Sequence, residues 1–128
     1  MDAYHVAPTQ VRASIRTHGL DPRRFAAAAD PARYRDYTPV RDDGFFLFDA
    51  LPIARWYAAL VANQEPAEEM DIWLVRPTER LQPDDELVPG GDEAANAGSW
   101  FHRGFTRPVR LVATVRPGRG LILRPRAR

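Results

Sequence analysis

Few side chains in this sequence have the type and spacing that catalysis requires, and the three histidines are the first to consider. His5, His18 and His102 stand far apart and form no HExxH or similar ligand spacing, so they do not predict a metal site. The chain has no cysteine, which excludes a disulfide scaffold, a zinc knuckle and a thiol nucleophile. The spacing of these residues alone therefore does not identify a catalytic site.

Serine and phosphate motifs are equally sparse. Neither Ser14 nor Ser99, the two serines, lies in a GxSxG turn, and the sequence contains no GxxxxGK loop. The run Pro117-Gly-Arg-Gly is too short for a dinucleotide fingerprint. The sequence therefore does not indicate a serine hydrolase of that kind, a P-loop nucleotide hydrolase or a Rossmann dehydrogenase.

The elements that would position His5 follow from hydrophobic spacing. Residues 3 to 6 read as a short strand, and Thr9 is a plausible N-cap for a helix that Gly19 ends. Residues 45 to 48 form an apolar run between acidic residues and predict a buried strand. A helix follows, with one face expected to pack on the sheet. That predicted face consists of Ile53, Trp56, Tyr57 and Leu60.

Strands dominate the second half of the chain. The candidates are residues 71 to 75, 99 to 102, 109 to 115 and 121 to 123. Two early helices before a strand-rich half predict an α+β class with a small, mostly antiparallel core. At 128 residues, the chain is expected to be one domain, 1–128, in which the basic segment 116–128 supplies a final strand and a tail.

Charge is unevenly distributed along the chain. All 18 basic residues are arginine; eight of them, and no acid, fall in residues 94 to 128, whereas residues 65 to 93 hold ten acids and two arginines. We expect the basic third to pair mainly with the acidic segment, with nucleic-acid binding as the alternative. No membrane-spanning stretch or export signal is evident, so a cytoplasmic location is expected.

Several short blocks resemble bacterial ADP-ribosyltransferases. The first is Tyr4-His-Val-Ala-Pro8 followed by Gly19-Leu-Asp-Pro22, and the second is Gly44-Phe-Phe-Leu-Phe-Asp-Ala-Leu-Pro-Ile-Ala-Arg-Trp-Tyr57. Two later blocks, Asp71-Ile-Trp-Leu-Val-Arg-Pro77 and Trp100-Phe-His-Arg-Gly-Phe-Thr-Arg-Pro-Val-Arg-Leu-Val112, look like parts of the small rifampin-inactivating and toxin-like transferases. The resemblance implies a split antiparallel β core with two or three short helices.

The resemblance also implies a site for NAD as substrate, without a metal. His5 would bind a ribose hydroxyl, and the backbone of Val6 would hold the nicotinamide carboxamide. Phe46 stands where the family has tyrosine, so the ring is kept and the hydroxyl is lost. The nicotinamide would then lie between Phe46 and Tyr57. Catalysis needs one carboxylate to stabilise the cationic ribose, and by resemblance this is Asp85 or, less well, Asp84.

The expected activity is mono-ADP-ribosyl transfer, with cleavage of the nicotinamide–ribose bond and transfer to an acceptor that the sequence does not identify. One alternative is a module of the same fold that binds NAD or nucleic acid without turnover. A second is an RNA 2′-phosphotransferase-like protein, which the basic third would suit.

Overall fold

In the computed structural model of the protein, the described residues are 1–24, 43–84 and 98–118, and six strands among them form one antiparallel sheet. The strands are β1 (Ala3–Pro8), β2 (Gly44–Phe48), β3 (Met70–Val75), β4 (Gln82–Pro83), β5 (Ser99–Arg103) and β6 (Arg110–Val115). A 3-10 turn at Thr9–Val11 leads into helix α1 (Arg12–His18), and helix α2 (Leu51–Ala62) follows β2. The predicted α+β class with an antiparallel core and short helices is confirmed.

The sheet divides between its two central strands. Its order is β4-β5-β2-β1-β3-β6. Strand β1 pairs with β3 along its whole length, and β2 pairs with β5 along its whole length. Between β1 and β2, by contrast, the register contains one position, Tyr4 opposite Phe48. The two halves of the sheet are therefore joined at one end of these strands and separate toward His5 and beyond.

Each face of the sheet carries its own apolar cluster, because side chains alternate along a strand. The cluster on the α1 side consists of Ala3, Ala7, Ile15, Leu20, Phe45, Leu47, Trp73 and Val75. The cluster on the α2 side consists of Phe48, Ala54, Tyr57, Ala58, Ala59, Val61, Ala62, Met70, Ile72 and Val115. Consecutive residues along β1, and likewise along β2, thus place their side chains on opposite faces of the sheet.

The start of α1 differs from the prediction. Thr9 does not cap the helix, because its hydroxyl donates to the Asp71 carboxylate at 2.8 Å, and α1 begins three residues later at Arg12. Gly19 ends the helix as predicted. Its φ of 76° lies in the left-handed region that glycine adopts without strain.

The buried face of α2 also differs from the prediction. Tyr57 is buried as expected, but Trp56 is 48% exposed. Small residues, including Ala54 and Ala58, contact the sheet instead and allow the helix to approach it closely. The prediction placed Trp56 on the packing face because large apolar residues weigh most in a periodic pattern, and for this residue it was wrong.

Three of the four later strands lie where the pattern predicts them, and the short β4 was not predicted. Strands β3, β5 and β6 agree with the predicted ranges to within one residue at each end. The predicted strand at 121 to 123 and most of the segment 116–128 lie outside the described residues. Among the described helices, none has the length and apolar character needed to cross a membrane.

Candidate functional site

His5 lies on β1 where the two halves of the sheet separate, and its imidazole bridges them. Its Nδ1 is 2.9 Å from the carbonyl oxygen of Phe46 on β2. A carbonyl only accepts hydrogen bonds, so Nδ1 is the donor and Nε2 of the neutral ring is left as an acceptor. Burial lowers the pKa of His5 to about 4, although the hydrogen bond to Phe46 acts in the opposite direction. His5 is therefore neutral near pH 7.

The backbone of Val6 is directed toward this separation. The Thr9 N–H donates to the carbonyl of Glu69 at 3.0 Å, which continues the register between β1 and β3. In an antiparallel ladder only alternate residues bond to a given neighbour. Residues 3, 5 and 7 therefore bond to β3, while the N–H and C=O of Val6 point toward β2. The regular pairing with β2 has ended at that level, so a ligand could use these groups.

Phe45 is the aromatic side chain that shares the face of His5. The two rings meet edge to face, with centroids 5.3 Å apart. On its other side, Phe45 stacks against His102 of β5 at 4.9 Å and an interplanar angle of 19°. The ring of Phe45 is therefore fixed between two imidazoles. Sequence reasoning assigned no role to Phe45 or His102; the alternation of side chains on β2 was the available signal for Phe45.

His102 is unusual because it is 1% exposed and neither ring nitrogen has a hydrogen-bond partner among the described residues. Its carbonyl and the neighbouring Phe101 ring lie so close to Gly44 that any side chain at residue 44 would collide with them. Glycine at this position thus lets β2 and β5 approach and brings Phe45 against His102.

A cavity of about 150 Å³ opens beside His5 and Phe45 on the α1 side of the sheet. An engineered cavity of about 150 Å³ in another protein holds one benzene molecule, so this space suits a single small ring. The described wall is mainly apolar and includes a few polar groups. It is formed by His5, Gln10, Val11, Ser14, Ile15, Gly19, Leu20, Asp21, Pro22, Arg24, Gly44 and Phe45.

The α1 wall of this cavity is attached to the sheet by a buried carboxylate. Asp71 on β3 is fully buried, and it accepts hydrogen bonds at 2.8 Å from Arg12, Thr9 and Thr114. Burial alone would raise the pKa of Asp71, but these hydrogen bonds and the charge of Arg12 outweigh it and lower the pKa. The network joins the start of α1 to β3 and β6 and so fixes the position of the wall.

Phe46 and Tyr57, the pair predicted to hold the nicotinamide, lie on the opposite face from His5. Phe46 packs against Phe101 with ring centroids 5.2 Å apart. Tyr57 packs against Phe48 at 5.0 Å and belongs to the cluster on the α2 side. The structure does not bring these rings to the side chain of His5, and Phe45 occupies the corresponding place. The resemblance matched the strand as a block, which does not specify the direction of each side chain.

Of the two candidate acids, Asp84 is the one that the structure describes, and it is separated from His5. Asp85 lies outside the described residues. Asp84 is fully buried and accepts a hydrogen bond from Ser99 Oγ at 2.6 Å. It is near Tyr57, whose pKa is raised by burial and further by the charge of Asp84, and it therefore lies on the α2 side. Among the described residues that line the cavity, Asp21 is the carboxylate, and sequence reasoning did not select it.

Within the part of the chain that the structure describes, no group of three or more His, Asp or Glu side chains is arranged to hold a metal ion. The predicted pairing of the basic third with the acidic segment is represented there by Arg116 and Glu69, which form an exposed ion pair at 3.1 Å. Such a pair contributes little to stability.

Comparison with protein-family models, with curated proteins and with solved structures finds no match to this chain. Function is therefore inferred from the geometry around His5 and from the resemblance of the sequence blocks.

Proposed function

We propose that this chain is a mono-ADP-ribosyltransferase that binds the nicotinamide end of NAD in the cavity beside His5. The proposal is based on three features that occur together where the sheet divides. These are a neutral imidazole with an acceptor nitrogen, the backbone amide of Val6 directed toward the gap, and a cavity sized for one ring.

Each feature suits one part of the substrate. The nicotinamide ring is flat and can stack against Phe45, whose own position is fixed by its neighbouring imidazoles. The carboxamide can pair with the N–H and C=O of Val6. The Nε2 of His5 can accept a hydrogen bond from a ribose hydroxyl. Together these contacts would orient the glycosidic bond, which is how positioning lowers a barrier.

The reaction breaks the bond between the nicotinamide nitrogen and C1′ of the ribose. The bonding electrons leave with nicotinamide, which becomes neutral, and the ribose acquires oxocarbenium character. The acceptor then forms a new bond to C1′ and loses its proton to water. A carboxylate near the ribose would stabilise the cation. Asp21 at the rim of the cavity is one candidate for this role, and Asp85 is the other.

The test is the release of free nicotinamide from NAD, followed by mass spectrometry, with NAD binding measured in parallel by calorimetry. We expect His5→Ala to weaken both binding and turnover, because the imidazole contacts the substrate before and during cleavage. Substituting the true acid by its amide should lower turnover about 100-fold or more while binding changes little. Comparing Asp21→Asn with Asp85→Asn identifies that acid, and Asp84→Asn is the neighbouring control.

Two outcomes would refute the proposal in different ways. Failure of folded protein to bind NAD at millimolar concentration would exclude the site itself. Binding without nicotinamide release, with water or any acceptor offered, would instead favour the non-catalytic binding module. The position of Asp84 supports that alternative, because its carboxylate lies on the face of the sheet opposite to His5.

A further inference from the structure

We propose that Arg12 and Asp71 are positioning residues for the cavity beside His5. Neither of them lines the cavity, but their ion pair holds α1 at one distance and angle from the sheet, and this gap determines which rings the cavity accepts. The inference rests on the proposed function for the choice of nicotinamide as the test ligand. The position of α1 itself can be measured on the protein without a ligand.

The cavity lies between two walls that belong to different elements. One wall is the sheet, which contributes His5, Gly44 and Phe45. The other wall comes from the 3-10 turn and α1, and its side chains repeat at the spacing of one helical turn. These residues are Gln10, Val11, Ser14 and Ile15. Because strand pairing fixes the sheet, the width of the cavity depends on where α1 lies.

Helix α1 is too short to hold its own position. It has seven residues, of which Ile15 is the buried one, and no side-chain hydrogen bond from the described residues caps its start. Isolated helices shorter than about 12 residues are marginal in water, so tertiary contacts decide where α1 lies. Just beyond its end, the backbone N–H groups of Leu20 and Thr106 each donate to the other's carbonyl, at 2.8 and 3.1 Å. Its start is held by Asp71.

Arg12, the first residue of α1, reaches Asp71 on β3 with two of its nitrogen atoms. Its Nε donates to one carboxylate oxygen and its Nη2 to the other, both at 2.8 Å. Two such bonds from a planar guanidinium fix the angle between the groups as well as their distance. Thr9, in the turn before α1, donates to the same carboxylate at 2.8 Å. The start of α1 therefore cannot shift or rotate without breaking these bonds.

The chemistry of this anchor favours positioning over stability. The Asp71 side chain is completely buried and that of Arg12 is 31% exposed, so the pair is largely removed from water. The cost of desolvation offsets much of the attraction, and apolar side chains of similar size often stabilise a fold as well or better. Apolar contacts, however, have no preferred direction. An ion pair of defined geometry is thus suited to fix a helix beside a cavity whose width matters.

The first measurement determines the orientation of α1 relative to the sheet in the full chain without ligand, from residual dipolar couplings of the backbone amides. We expect Arg12→Met to change the couplings of α1 and to leave those of the sheet as in wild type. Arg12→Lys retains the charge without the paired geometry. It should fold even if Arg12→Met does not, and it should change the same couplings to a smaller extent.

The matched control is an ion pair at the other end of β3. Arg76 pairs with Asp2 at 3.0 Å, and both side chains are exposed. Arg76→Met removes an arginine–aspartate pair of similar length without touching α1. It should leave the couplings of α1 and all ligand affinities as they are in wild type.

The second measurement compares nicotinamide with quinoline-3-carboxamide, which carries one more fused ring, by calorimetry at a temperature where every variant is folded. The cavity of about 150 Å³ has room for one ring, so wild type should bind the larger amide about 5-fold to 150-fold more weakly, as expected for overpacking. In Arg12→Met, nicotinamide should bind more weakly and this ratio should fall toward unity. A purely structural role would leave both affinities of the folded protein unchanged.

The two proposals fail separately. Unchanged α1 couplings in both Arg12 variants, or an unchanged ratio of the two affinities, would overturn the positioning role and leave the transferase. If α1 moves in the Arg12 variants but wild type binds neither amide, the proposed transferase is excluded, whereas the role of Arg12 and Asp71 in holding α1 stands.

Discussion

The buried, neutral state of His5 predicts a specific loss of stability in acid. In the folded protein burial lowers its pKa to about 4, whereas in the unfolded chain it returns to the ordinary value of 6.5. Between these values the unfolded chain binds a proton that the folded chain does not. Stability is therefore complete above about pH 6.5 and falls as the pH decreases toward 4. The full difference of 2.5 pH units corresponds to about 3 kcal/mol, of which about 2 kcal/mol is lost by pH 5.

Urea unfolding at pH 7.5 and at pH 5 measures this effect, with His5→Gln as the reference for all other titrating groups. The glutamine variant can still donate to the Phe46 carbonyl but has no ionisable ring, so it should lose less stability in acid than wild type by about 2 kcal/mol. NMR titration of the imidazole gives the pKa directly. A His5 pKa near 6.5, or equal acid sensitivity of the two proteins, would refute the buried and neutral state.

Three further substitutions test the packing around the site. Gly44→Ala should destabilise the protein by about 1 to 3 kcal/mol in urea unfolding, because the added methyl group meets the His102 carbonyl and the Phe101 ring; unchanged stability would contradict this. Ser99→Ala removes a 2.6 Å donor from the buried Asp84 carboxylate and should cost about 1 to 3 kcal/mol by the same measurement. His102→Phe keeps a stacking ring and removes two buried nitrogens that have no hydrogen-bond partner in the described part of the chain, so its melting temperature should rise, corresponding to about 1 kcal/mol; a lower melting temperature would contradict this.

Hydrophobic spacing was sufficient to predict most strands and the end of the first helix. A short apolar run bounded by charged residues is typical of a buried strand, as at β2. Glycine readily adopts the positive φ that ends a helix, as Gly19 does. The helix starts and faces were less predictable. The Thr9 hydroxyl could cap α1 or donate to Asp71. Which bond forms depends on β3, which is distant from Thr9 in the sequence.

The sequence singled out His5 and Val6, and the structure places both where the sheet divides. Side chains alternate between the two faces of a sheet, so a shift of one residue in the match reverses the predicted face. Phe45 and Phe46 are adjacent in β2 and therefore lie on opposite faces. Asp21 was missed because nothing in its local sequence indicates that the turn after α1 lines a cavity with β1 and β2. The role of His102 depends on pairing of β5 with β2, which local sequence does not specify.

The proposed binding mode places the nicotinamide ring of NAD against Phe45 and His5, where the sheet divides. Intermolecular NOEs between nicotinamide protons and assigned side chains, measured with saturating NAD, test it most directly. We expect NOEs to the rings of Phe45 and His5 and none to Tyr57. We also expect Phe45→Ala to abolish binding and Phe46→Ala to retain it. NOEs to Phe46 and Tyr57 instead, or loss of binding in Phe46→Ala alone, would contradict it.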